Sequence, residues 1–272
     1  MTLSHFRSVA LLGAFAFAIA GCADKKDNYV ERPVETIYNN AMDQLLAGKY
    51  EDAAKTFDDV EQQHPYSVWA TKAQLMNAYA LYENKDYDAS IISADRFIQL
   101  HPGHRDVAYA YYLKALDYYI QITDVERDQK VTQQAYDALS EVVRRFPDST
   151  YARDAKFKMD LCRDHLAGKE MEIGRWYEGQ GEYLAAINRF QSVVNNYQTT
   201  THVPEALERL VECYYALGLN EEAKRTAAVL GFNYPNNKWY QSTYALVTTG
   251  SETPRPRDRG WLARVVDPFG IF

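Results

Sequence analysis

Between Tyr50 and Pro235 one short pattern returns five times, and it leaves this chain few folds to choose from. Take Tyr50, Tyr87, Thr132, Tyr183 and Asn220 as equivalent starts. Three residues on stand Ala53, Ser90, Ala135, Ala186 and Ala223; seven on, Phe57, Ala94, Leu139, Phe190 and Ala227. Ten on come Val60, Phe97, Val142, Val193 and Leu230, and fifteen on Pro65, Pro102, Pro147, Gln198 and Pro235. Offsets of three, seven and ten put a small residue and two packing residues on one helical face. A proline after them forbids the helix to continue. A helix so patterned cannot bury its stripe alone, so the expectation is stacked helical pairs.

The set resembles the second helix of the tetratricopeptide repeat, with its A-x₃-F…P signature. Candidates for the first helix precede it: Ile173-Gly174-x₂-Tyr177 and Leu210-Val211-x₂-Tyr214 in repeats four and five, and weaker Asn40-Ala41 and Asn77-Ala78 in repeats one and two. Repeat ends lie 37, 45, 51 and 37 residues apart, against a standard unit of about 34. Repeats three and four therefore carry insertions, one placed in Thr123–Lys130 and one in a long helix from Thr150 towards Tyr177. The expected fold is all-α, a superhelical array of about five such pairs, with an extended N-terminal tether and an extended C-terminal tail.

Composition narrows function more than fold. With 37 acidic and 30 basic residues the formal charge is -7, and no basic stripe runs through the repeats, so nucleic acid is not an expected partner. Twenty-two tyrosines against 13 glycines and 9 prolines argue against an all-β fold and for packing or partner surfaces that leave a hydroxyl wet. Phosphate-loop, dinucleotide, zinc-protease and nucleophile-elbow motifs are absent from the sequence. His101-Pro-Gly-His104 is the one close histidine pair, and repeat position explains His64 and His101 better than metal binding. No catalytic residue, metal ligand or cofactor site is expected.

Residues 1–21 read as a removable targeting segment: Arg7 in a short positive head, then Val9 to Ala20, too short to span a membrane. Ile19-Ala20-Gly21-Cys22 resembles the bacterial lipobox, which implies lipid on Cys22 and a soluble tether over 22–33. Ala23 follows where an inner-membrane retention signal would have Asp, which implies the periplasmic face of the outer membrane. Cys162 and Cys213 read as separate buried small side chains, with a bridge between them left open by spacing alone.

Residues 34–122 form the N-terminal repeats and 123–240 the C-terminal ones. The repeat resemblance assigns the inner surface to first-helix positions that share one face. Those are Tyr38, Met42, Leu45 and Leu46 in repeat one, Leu75, Tyr79 and Tyr82 in repeat two, and Tyr109, Tyr112, Leu116 and Tyr119 in repeat three. Such a face suits an extended aromatic peptide. Residues 241–272 read as an extended Arg/Trp tail, in which Trp261 and the terminal Phe272 are candidate docking residues, with Phe272 resembling a peptide signal for the groove.

The lipobox, the irregular spacing, Asp95-Arg96-Phe97-Ile98-Gln99-Leu100-His101-Pro102 and Phe146-Pro147-Asp148-Ser149-x-Tyr151 together resemble the BamD family, lipoprotein subunits of the outer-membrane β-barrel assembly machinery. The likeness spans about Cys22 to Asn237 and leaves the tail unmatched. It implies a non-catalytic role without cofactor beyond the covalent lipid. It implies N-terminal repeats that recognise the C-terminal signal of unfolded outer-membrane proteins and C-terminal repeats that dock on the POTRA region of a BamA-like barrel protein. Other assembly lipoproteins are further implied partners. Arg189, in Asn188-Arg189-Phe190, matches a family arginine and is the candidate scaffold contact. A periplasmic adaptor for cell-wall enzymes would share the anchor and the array.

Overall fold

The computed structural model describes residues 32–249, with the exception of residue 126. Eleven helices fill the described residues: α1 Val34–Leu46, α2 Tyr50–Gln63, α3 Val68–Glu83, α4 Tyr87–Leu100, α5 Val107–Ile120, α6 Lys130–Arg145, α7 Thr150–Gly179, α8 Tyr183–Asn196, α9 Val203–Ala216, α10 Asn220–Asn233 and α11 Lys238–Thr249. The first ten pair into five repeats. Each helix packs on the next in sequence, and the first helices α1, α3, α5 and α7 also touch one another in order. This makes them the inner layer of a superhelical tetratricopeptide-type array.

Four of the five repeat starts are the first residues of α2, α4, α8 and α10, and Thr132 lies just inside α6. All fifteen side chains at offsets three, seven and ten are buried. Small residues at offset three let the paired helices approach, and Phe57, Phe97 and Phe190 fill the space behind them.

Two turns repeat as faithfully as the core. After each second helix, the capping residue (His64, His101, Phe146, Tyr197, Tyr234) leaves the helical region with φ between -126° and -136°. Proline restricts the residue before it in this way, yet Tyr197 adopts the same geometry before Gln198, so packing also enforces it. Within repeats one, two, four and five the connection is a Schellman turn. Gly48, Gly181 and Gly218 occupy the left-handed position, and Lys85 does so in repeat two with φ 64°. Repeat three has a loop there instead, followed by α6, and α7 runs on for 30 residues. Those are the two places where the spacing called for extra chain.

One boundary needs correcting. Residues 238–249, the last nine of which were assigned to an extended tail, are helix α11. Trp239 and Tyr240 pack on the core of repeats four and five, and Leu246 and Val247 on Val211, Ala223 and Ala227. That burial, more than local propensity, makes the segment helical. Cys162 and Cys213 are free and sit in separate cores, so no bridge joins them.

Candidate functional site

The inner layer carries a row of half-buried tyrosines from repeat two into repeat four. Tyr79 and Tyr82 on α3 share a cluster with Tyr109 on α5, over the buried Ala78, Ala94 and Leu113. Tyr109 meets Tyr151 of α7 at 5.6 Å between ring centroids, and Tyr112 stacks on Tyr151 at 5.1 Å with planes 26° apart. One turn of α7 further on, Asp154 accepts from the Tyr112 hydroxyl and from Lys158 Nζ at 2.6 Å. Lys158 in turn lies 5.5 Å from the ring centroid of Tyr119. Spacings of three and four residues along α3, α5 and α7 put each ring beside the next.

Burial pushes the phenols of Tyr109 and Tyr112 far above their ordinary range, and those of Tyr38, Tyr79 and Tyr82 upward as well. Burial also works to raise Asp154, but hydrogen bonds from Lys158 and Tyr112 outweigh it and hold the carboxyl below its usual value. Burial therefore keeps Tyr79, Tyr82, Tyr109 and Tyr112 as neutral phenols, and Tyr79 also donates a hydrogen bond to Glu83. Neutral phenols both donate and accept, and their rings are apolar walls. Such a surface offers hydrogen-bonding groups and apolar walls side by side along the inner layer. It has no nucleophile activated by a base.

The first repeat contributes less openly. Tyr38 is wedged between Phe57 at 5.6 Å and Trp69 at 4.9 Å, and Met42 packs on the core of repeat one. Leu45 and Leu75, expected on the inner face, are buried instead. Leu46 is exposed, and Leu116 and Tyr119 are half-buried. Tyr151, Asp154 and Lys158 were missed because the repeat-four insertion hides the register of its first helix. The signal was present in Ser149-x-Tyr151, where Ser149 caps α7 by accepting from Ala152 N at 3.1 Å.

Arg189 lies on α8, half-exposed, with Nη1 3.2 Å from Oε2 of Glu170 on α7. The pair edges a hollow of about 280 Å³ that also takes in Tyr177, Asn188 and Ser192. His64 and His101 hold equivalent turn positions, facing Arg32 O at 2.7 Å and Gln74 Oε1 at 2.8 Å. No cluster of metal ligands occurs among the described residues, and none of their helices is long and apolar enough to cross a membrane. Cys22, Trp261 and Phe272 lie outside the described residues.

Fold and inner face together define a tetratricopeptide-type repeat protein with a row of half-buried tyrosines on its first helices. The family model described as outer membrane lipoprotein, YfiO, matches residues 30–230. The chain is 50% identical over 243 residues to the outer membrane protein assembly factor BamD of Caulobacter vibrioides, covering 88% of this chain and 80% of that one. It is 46% identical to BamD of Rickettsia prowazekii (91% and 98% covered) and 34% to BamD of Neisseria meningitidis serogroup A (85% and 92%). This chain belongs to the YfiO/BamD family. A solved tetratricopeptide protein of Thermus thermophilus is 17% identical with a TM-score of 0.37, covering 80% of this chain and 100% of that one.

Proposed function

We propose that this protein is a non-catalytic outer-membrane protein assembly factor that receives the aromatic C-terminal segments of unfolded barrel proteins in its tyrosine row. The observation that supports this most is the continuity of Tyr79, Tyr82, Tyr109, Tyr112 and Tyr151 along the inner layer of a chain in the YfiO/BamD family. In this reading the C-terminal repeats hold the POTRA region of a BamA-like barrel protein. Arg189 exchanges its internal partner Glu170 for a carboxylate across that interface. Lipid on Cys22 confines the array to the periplasmic face of the outer membrane. Confinement raises the effective concentration at the barrel protein without new contacts.

The decisive experiment titrates a labelled ten-residue peptide ending in phenylalanine against the purified protein by fluorescence anisotropy. Replacing Tyr109 and Tyr112 together by alanine should weaken binding about tenfold or more, since buried aromatic anchors carry most of such affinity. Wild-type affinity in a correctly folded double variant refutes the groove. Separately, Arg189→Glu should lose co-purification with the barrel subunit; retention refutes the docking role.

A further inference from the structure

On α7 the tyrosine row runs into side chains that the packing of the array does not use. Phe157 and Leu161 are one turn apart, on the side of the helix turned away from the buried Ala155 and Cys162. Phe157 is 63% exposed and Leu161 38%. Asp154 and Lys158, in the same stretch of α7, meet Tyr112 and Tyr119 of α5, so the apolar pair adjoins the row. Two large apolar side chains left in water beside half-buried rings mark a contact surface.

The charge beside that surface narrows what it can take. Arg153, one turn before Phe157 on the same face, is exposed and makes no hydrogen bond or ion pair among the described residues. Carboxylates on α7 do not neutralise it. Asp154 is held by Lys158 and by the Tyr112 hydroxyl, and Asp160 lies seven residues on, about 10 Å along the axis. A guanidinium fork beside an apolar shelf fits a ligand with a carboxylate and a ring close together. A C-terminal phenylalanine is such a ligand, because its carboxylate and its side chain leave the same carbon. An internal phenylalanine offers the ring with an uncharged amide.

We propose that the last residue of the bound segment sits on α7, its ring on Phe157 and Leu161 and its carboxylate on the Arg153 guanidinium. This rests on the reading of the tyrosine row as the receptor of C-terminal segments, and it gives such a segment a direction. From α7 the segment runs back across α5 to Tyr79 and Tyr82 on α3. Helices packed about 8–10 Å apart put α3 roughly 16–20 Å from α7, which about five or six extended residues span. Alternate side chains of those residues face the rings. Arg153 is then a specificity-determining residue: it separates a true chain end from an aromatic stretch inside a chain.

Anisotropy titrations with two labelled ten-residue peptides of one sequence, ending in phenylalanine as the free acid or as the carboxamide, test this. At low salt the full chain should bind the acid about three- to fivefold more tightly, the size expected of an exposed ion pair. The difference should shrink as salt is added. Arg153→Gln should bring the acid down to the affinity of the amide and leave the amide unchanged, while Arg153→Lys keeps part of the preference. Phe157→Ser should weaken both peptides alike; unchanged binding there removes the shelf. Equal affinity for acid and amide in wild type overturns the proposal, and so does a preference for the acid that survives in Arg153→Gln. The reading of the row fails on a different result, undiminished binding in the Tyr109 and Tyr112 double variant.

Discussion

Asp117 is fully buried on α5, and the atoms around it determine its protonation. Ser90 Oγ lies 2.8 Å from Asp117 Oδ2 and 3.0 Å from the Ala78 carbonyl, so one hydroxyl proton faces two acceptors. Ser90 Oγ donates to Asp117 Oδ2, while Asp117 Oδ1 is buried with no partner of its own. Burial, opposed by the Ser90 hydrogen bond and aided by Asp88 on α4, raises the carboxyl from 3.8 to about 7. A raised carboxylate value means the fold holds the proton more tightly than the unfolded chain. Its contribution is thus complete below about pH 4 and lost as pH climbs through about 7. Urea unfolding of wild type and Asp117→Asn should show a gap in favour of the uncharged variant that widens between pH 4 and 8, by a few kcal/mol at most. Parallel pH profiles would mean the carboxyl is ionised throughout. Lys85 poses a simpler case: it is exposed and sits at φ 64° where three sister turns have glycine. Lys85→Gly should raise stability by about 0.5–1 kcal/mol in the same assay.

At the scale of helices, Gly174 shows why repeat four closes. A Cβ on it would fall 2.4 Å from Phe190 Cε1 and 2.8 Å from Cδ1, inside a ring that is fully buried. Gly174→Ala should cost about 1–3 kcal/mol by overpacking, and Ala186→Leu on the facing helix a similar amount; a thermal midpoint unmoved in both would deny the close approach. Ala186 was legible in the sequence because the second helices bury a single stripe, whose period is plain in the residue types, and Gly174 because it stands in the first-helix string Ile173-Gly174-x₂-Tyr177. The first helices were harder. α3 packs on α1, α2, α4 and α5, so its apolar residues face several ways and no one stripe separates Leu75 in the core from Tyr79 in the groove. Tyr151, Asp154 and Lys158 were hidden for the same reason, within an insertion that shifts repeat four out of register. α11 escaped entirely. Its sequence, KWYQSTYALVTT, is rich in residues that do not favour helix, and only the fit of Tyr240 over Gly231, where a Cβ would stand 2.5 Å from the ring, makes sense of it.

For the whole molecule, an array in which each repeat touches only its neighbours must be sealed at its ends, and its stability is a chain of local interfaces. At the C-terminal end the seal is α11. It covers Leu207, Leu210 and Leu230 with Trp239 and Tyr240, and covers Val211 and Ala223 with Leu246 and Val247. Its own outer side, with Tyr244, is left open, and Phe232 of α10 is exposed as well. Ending the chain at residue 237 strips this cover from repeat five while leaving repeats one to three without a changed contact. Amide hydrogen exchange should then show α9 and α10 losing protection by at least tenfold, with α3 to α6 close to their original rates. A chain ending at residue 249 keeps the cap and should match the full chain throughout α1 to α10. Uniform loss of protection along the array in the 237 truncation would mean that the repeats unfold as one unit. In that event the tyrosine row and the Arg189 face could not be treated as separately stable halves, and variants at one would have to be read through their effect on the other.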